Sequence, residues 1–216
     1  MTDERASGII LRTRPLTDTS LIVHWLTPEL GRIATVAKGA RKPKSSFYGK
    51  LDLFFEADLS FARSQRSELH TLREVGVRDM RNGLRTDFAY VTQASYAVAF
   101  VEQVTETETP LPEVHELVTG FLAHLPKQPP QPRSIYAFEL KLLGSQGLEP
   151  DREATAFSPS AKSLIRELTE LDWPELPALR ATANDVQAVR QFLHGYLIYH
   201  CQRLPKGRAE ALGLNG

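Results

Sequence analysis

The feature that most constrains this 216-residue chain is a change of hydrophobic period near residue 80. Before it, apolar residues alternate with polar ones. Leu51, Leu53, Phe55, Ala57, Leu59 and Phe61 fall on one side of an extended chain, and Asp52, Glu56, Asp58 and Ser60 on the other, with Phe54 as the exception. After it, Leu84, Phe88, Val91, Ala94, Val98 and Val101 recur every three or four residues. Period two is a strand with one face buried, and a period near 3.6 is one stripe of a helix. Strands that precede helices, rather than alternating with them, place the chain in the α+β class. The boundary falls at Met80–Leu84, giving an expected first domain at 1–81 and a second at 82–216.

The first part reads as five strands: Gly8–Thr13, Ser20–Leu26, Arg32–Lys38, Leu51–Phe61 and Leu69–Val77. Thr27-Pro28-Glu29-Leu30-Gly31 turns the second into the third as a hairpin. Five short strands in about eighty residues suit a closed barrel, because closure removes exposed sheet edges, and an OB-type barrel has that strand count. The second part reads as helices. A start at Thr109-Pro110 leads the stripe Leu111, Val114, Leu117, Val118, Phe121 and Leu125, which Pro126, Pro129, Pro130 and Pro132 break. Ile135–Leu143 is apolar nearly all round and is expected to be central in a bundle. Ala161–Leu171 and Asn184–Arg203 follow, the latter with Val186, Val189, Phe192, Leu193, Tyr196 and Leu197 inward; Leu204–Gly216 is expected to fray.

Composition narrows the classes. Apolar residues are 42% of the chain, enough for a core. The one cysteine, Cys201, allows no internal disulfide and no paired-thiolate motif, which points to a reducing cytoplasm. No apolar run approaches a membrane span, and the polar start Met1-Thr2-Asp3-Glu4-Arg5 has no signal-peptide core. The net charge of zero conceals a split: residues 1–82 hold fourteen lysines and arginines against ten acids, residues 83–216 twelve against sixteen. A polyanion partner for the first part is consistent with that asymmetry.

The stretch from Lys38 to Lys50 carries the sharpest chemical signal. It holds Lys38, Arg41, Lys42, Lys44 and Lys50, no acid, and the aromatic pair Phe47-Tyr48. Cations neutralise phosphates and release counterions, and aromatic faces stack unpaired bases. Gly39, Pro43 and Gly49 make the stretch a loop between the third and fourth strands. The competing reading is a solvated loop whose Phe47 plugs the barrel. Arg12 and Arg14 extend the patch from the first strand, and Arg32 sits at the hairpin turn. Arg63 and Arg66 flank the turn before the fifth strand.

Gly8-Ile9-Ile10-Leu11-Arg12-Thr13-Arg14 resembles the first strand of RecO proteins. Similar too are Thr27-x-x-x-Gly31-Arg32, Ala37-Lys38-Gly39-Ala40-Arg41-Lys42-Pro43-Lys44-Ser45 and Phe47-x-Gly49-x-Leu51-x-x-Phe54. So is Tyr136-Ala137-Phe138-Glu139-Leu140-Lys141-Leu142-Leu143, running on to Gly147-Leu148-x-Pro150. The resemblance covers residues 7–150 and is most specific over Gly39–Ser45. It implies an N-terminal OB domain and a mainly helical C-terminal domain. It implies binding of single- and double-stranded DNA, strand annealing, and work with RecR and the single-strand DNA-binding protein to load RecA. It puts Arg12, Arg14, Lys38, Arg41, Lys42 and Lys44 on the DNA side and makes the protein cytoplasmic and nucleoid-associated. A surface for the acidic tail of the single-strand binding protein is expected on the helices, with Lys141, Arg166, Arg190 and Arg203 as candidate cations. Many relatives carry a four-cysteine zinc module after the Gly-x-x-Pro segment. Here Asp151–Phe157 leads directly to Ser158-Pro159 with no cysteine, so no metal and no cofactor are expected.

No catalytic constellation emerges. His194 and His200 are six apart and occupy different helix faces, whereas a metal pair wants i,i+4. His24, His70, His115 and His124 stand alone, each read as surface or satisfied core. Gly144-Ser145-Gln146-Gly147 is a helix stop, and Glu106 and Glu108 belong to a solvated loop. The chain is therefore read as a non-enzymatic DNA binder. The alternatives are an OB-type protein-interaction scaffold and an RNA binder.

Overall fold

The computed structural model describes residues 3–150 and 157–214. Five strands, β1 (Asp3–Pro15), β2 (Leu21–Thr27), β3 (Gly31–Ala37), β4 (Glu56–Ala62) and β5 (Leu69–Asp79), precede six α-helices. These are α1 (Phe88–Val104), α2 (Pro112–His124), α3 (Pro132–Ser145), α4 (Pro159–Glu170), α5 (Ala183–Cys201) and α6 (Arg208–Ala211). The chain divides into two compact units, one of residues 1–82 with 106–119 and the other of 83–105 with 120–216.

In the first unit the strands close in the order β1-β2-β3-β5-β4, an OB-type barrel. All neighbours are antiparallel except β3 and β5, which pair in parallel at Ala34–Leu69 through Val36–Thr71. β1 serves two partners, β4 from Asp3 to Ile9 and β2 from Ile9 to Pro15. At the crossing a Cβ on Gly8 would lie 2.7 Å from the Leu26 carbonyl oxygen, so only glycine fits. Ile10, Val23, Trp25, Ile33, Leu59, Phe61 and Leu72 fill the interior. Trp25, fully buried, donates its indole N–H to Thr35 Oγ1 at 2.9 Å, which satisfies both polar groups inside the barrel.

The strand expected at Leu51–Phe61 begins only at Glu56. Phe54, the exception to the alternation, adopts φ 67°. Its N–H donates to the Ile10 carbonyl at 2.8 Å, and Ile10 N–H donates to Phe55 at 2.9 Å, so these residues bind β1 instead of continuing a ladder. The loop at Glu106 and Glu108 is exposed, as expected, and it is also tied to the barrel. Glu108 N–H donates to the Arg32 carbonyl at 3.0 Å and Leu111 N–H to Pro28 at 2.9 Å. Arg63 donates to Glu4 at 2.7 Å and to Glu108 at 3.2 Å. His70 accepts at Nδ1 from Ser64 N–H, which leaves its Nε2, 3.1 Å from Glu108, to carry the proton.

In the second unit α1 starts after Asp87, whose carboxylate accepts from Ala89 N–H as an N-cap. Phe88, expected inward, is 85% exposed, because the first turn precedes the buried stripe of Ala94, Ala97, Val98 and Val101. α3 is buried from Ser134 to Leu140, as its all-round apolar pattern requires. It brings Glu139 inside, where Tyr96 O–H donates to it at 2.5 Å and Arg208 donates twice, at 2.7 and 2.9 Å. That pairing corrects the expectation for the tail: α6 is docked, with Ala211 and Leu212 buried beside Arg208. On α5, Val189, Leu193 and Leu197 face inward, whereas Val186 is exposed. Among the described residues no helix is long and apolar enough to cross a membrane. Residues 151–156, the stretch at which the resemblance leads one to expect a zinc module in many relatives, lie outside the described residues.

Candidate nucleic-acid interface

One bulge decides which way the first-strand arginines point. Ile10 faces the core opposite Trp25, and strict alternation would send Arg12 inward after it. The register shifts between Ile10 and Arg12, so Arg12 pairs with His24, Thr13 with Val23 and Arg14 with Ile22. A bulge of this kind re-aims the side chain that follows it. Arg12 and Arg14 are accordingly exposed on the outside of the barrel. β3 extends the row: His24 pairs with Ala34, and Arg32, half-buried, pairs with Leu26. His24 is held down to about 4, first by its burial and then by the positive charges of Arg12, Arg14 and Arg32. The outer face of β1, β2 and β3 is thus a field of positive charge.

The loop after β3 is built of successive turns. Lys42 N–H donates to Gly39, Ser45 to Lys42, Tyr48 to Ser45 and Lys50 to Phe47, at 3.0 to 3.1 Å. Gly39 and Gly49 both adopt φ 70°, which the turns demand. Two anchors fix the loop. Ala40 and Phe47 insert into the barrel core, and Arg41 reaches the β1–β2 loop through its N–H to the Thr19 carbonyl at 3.0 Å and its guanidinium to Thr17 at 3.3 Å. Lys38, Arg41, Lys42 and Lys44 are exposed and Lys50 is half-buried. The anchors hold these cations beside the turn that follows Arg14.

Phe47 is not a stacking platform. It is 8% exposed and belongs to the core cluster, so the plug reading holds for it, while Tyr48 beside it is 75% exposed. Arg63 is drawn off by Glu4 and Glu108 and does not extend the patch. His24 joins the face although the sequence pattern alone marks it as an isolated histidine. The signal that could have placed it is alternation: Val23 and Trp25 face the core, so His24 must stand outside beside whatever β1 presents.

The four cations expected to meet a partner fall on α3, α4, α5 and the segment after α5. Lys141 donates to the Thr169 carbonyl at the end of α4 at 2.7 Å and sits 5.7 Å from the Trp173 ring, and burial lowers its pKa. Arg166 is exposed on α4 and donates to Ser163 at 3.3 Å. Arg190 is half-buried on α5, and Arg203 is exposed beyond it, its carbonyl accepting from Gln103 at 2.9 Å. Cys201 is half-buried, its thiol pushed up by burial, and one thiolate cannot supply a four-cysteine metal site.

Two family models match the chain: "Recombination protein O N terminal" over residues 1–81 and "Recombination protein O C terminal" over residues 85–156. Proteins named DNA repair protein RecO are similar to it. That of Anaeromyxobacter sp. (strain K) is 30% identical over 152 residues, covering 70% of this chain and 60% of the relative. That of Bacillus subtilis (strain 168) is 31% identical over 147 residues, covering 68% and 57%. That of Symbiobacterium thermophilum is 35% identical over 152 residues, covering 68% and 58%. The chain thus spans less than two thirds of the length of these relatives.

Proposed function

The chain belongs to the RecO family of DNA repair proteins, and from that membership and the barrel's charged face we propose that it binds single- and double-stranded DNA. The observation that carries the reading is the anchored loop. Its exposed Lys38, Arg41, Lys42 and Lys44 follow directly on the exposed Arg12 and Arg14 of the barrel wall. The chemistry is electrostatic. Guanidinium and ammonium groups neutralise phosphates on a strand and release counterions, and Tyr48 offers a ring to a splayed base. With two strands so neutralised, their mutual repulsion falls and complementary bases can pair, which is strand annealing. The same adaptor places DNA with RecR and the tail of the single-strand binding protein, so that RecA loads. Neither step requires bond chemistry by the protein.

The test is binding and annealing of labelled complementary oligonucleotides across a salt series. It compares the native chain with a variant in which Lys38, Arg41, Lys42 and Lys44 are replaced by Ala. The native chain binds and accelerates annealing, with both effects fading as salt rises. The variant binds more weakly to every sequence, and its salt slope for single strands is shallower by about 3, roughly 0.7 for each phosphate that is no longer neutralised. Unchanged affinity and slope would remove this loop from the interface. A preference for RNA over DNA of equal sequence would favour the RNA-binding alternative, and no binding of either would favour a protein scaffold.

A further inference from the structure

β2 carries one ionisable side chain, His24, and its surroundings do not suit it. The ring stands on the outer face of the barrel between Arg12 of β1 and Ala34 of β3. Ala34 offers its side no polar atom. Nε2 of His24 is shielded from water and has no hydrogen-bond partner. The charged groups that act on the ring are Arg12 and Arg14 from β1 and Arg32 from β3; β2 itself has no other, and no acid is among them. An unpartnered imidazole nitrogen amid three guanidinium groups costs stability in the free protein. The ring is kept neutral first by its burial and then by those three charges; a polyanion laid on the guanidinium groups changes the balance, because each phosphate offsets the second of these and adds an attraction of its own.

We propose that His24 is a protonatable phosphate contact of this face: when a nucleic-acid backbone docks on Arg12, Arg14 and Arg32, the imidazole takes one proton from solvent and joins them as a further cation. The inference rests on the reading of the face as a nucleic-acid interface. Affinity must then rise as pH falls, since whatever binds the protonated form better is itself bound better when protons are plentiful. In the free protein the ring titrates at about 4. Burial persists in the complex, and the phosphates' attraction, together with relief of the arginine field, raises the value part of the way toward the ordinary histidine range near 6.5. Between those values the bound state holds the proton and the free state does not.

The experiment measures the affinity of the whole chain for a single-stranded DNA oligonucleotide at constant ionic strength, near neutrality and near pH 5. It compares the native protein with His24→Gln, which fills similar space and cannot become a cation. The His24 ring resonance is followed through the same pH range with and without oligonucleotide. The native chain should bind about tenfold tighter at the acidic end, the size linkage gives near pH 5 for a pKa raised by about two units. Between the two pH values the variant should gain less than about twofold, since the other histidines contribute equally to both. The His24 resonance should titrate at higher pH in the complex. Equal acid gain in both proteins, or a ring that titrates at the same pH free and bound, overturns the role of His24 and leaves the interface standing. Absence of binding by the native chain at either pH overturns the interface and the inference together. If the variant fails to fold, the resonance of the native protein decides alone.

Discussion

Replacing Phe47 by Ala removes a ring that closes the barrel, and the cavity left behind should cost about 3 kcal/mol. Replacing Tyr48 by Ala removes an exposed ring and should leave stability within about 0.5 kcal/mol. DNA affinity should respond in the opposite order: a denaturation midpoint separates the first variant, an anisotropy titration the second. If Tyr48→Ala binds as well as the native chain, the stacking role fails and charge alone holds the strand. The pair also shows what a sequence can tell about single residues. Composition marks Phe47 and Tyr48 alike as aromatics in a cationic loop. What separates them is the i→i+3 turn geometry that turns one ring into the barrel's core cluster and the other toward water, and no periodicity exists in a run of turns to reveal it. His24 differs: strand alternation made its outward position legible, whereas its nearness to three arginines depended on the bulge at Leu11, for which the sequence offers no signal.

Gly31 begins β3 in the left-handed region, φ 64°, and a Cβ there would stand 1.8 Å from the Thr109 carbonyl oxygen. Gly31→Ala should therefore push the 106–119 segment off the barrel. The expected result is a lowered melting temperature with faster amide exchange at Glu108 and Leu111, whose N–H groups bond Arg32 and Pro28. Unchanged exchange there would show that the segment is held elsewhere. Elements with many residues in one period were legible in advance: β2, β3, β5 and α3 lie where alternation or all-round apolarity placed them. Elements fixed by a single long-range partner were not. The tail after Leu204 reads as polar and glycine-containing, yet α6 forms because Arg208 must meet Glu139. Glu139→Gln should cost about 3 kcal/mol or more, since it strands a buried guanidinium. A near-neutral effect would mean that Tyr96 and Arg208 find other partners.

At the scale of the whole chain, the charge split between its first 82 residues and the rest does not follow the structure. The segment 106–119 brings Glu106, Glu108, Glu113 and Glu116 into the barrel unit without a lysine or arginine, so that unit holds fourteen cations and fourteen acids. Its basic character is local to β1–β3 and their loop, with Glu108 spent on Arg63 and His70. Local fields of this kind set the acid response. His24 and His124 are lowered to about 4, and His70 and His115 are lowered as well, in each case chiefly by burial. A histidine whose folded value lies below its unfolded one near 6.5 takes its proton first in the unfolded chain, so stability is full above about pH 6.5 and falls toward about 4. The carboxylates of Glu4, Asp58 and Asp185 are lowered by hydrogen bonds, and their contribution is lost only below the ordinary carboxylate range. From neutrality to about pH 5 the histidines therefore act almost alone. The denaturation midpoint should drop over that interval, and a single-stranded oligonucleotide should restore more of it near pH 5 than near neutrality, because the complex accepts the proton that the free barrel refuses. In His24→Gln the drop should be smaller and the restoration independent of pH. A midpoint flat from pH 7 to 5 would mean that the buried imidazoles are already reached by water, and an oligonucleotide that stabilises both proteins equally at each pH would place its phosphates away from β2.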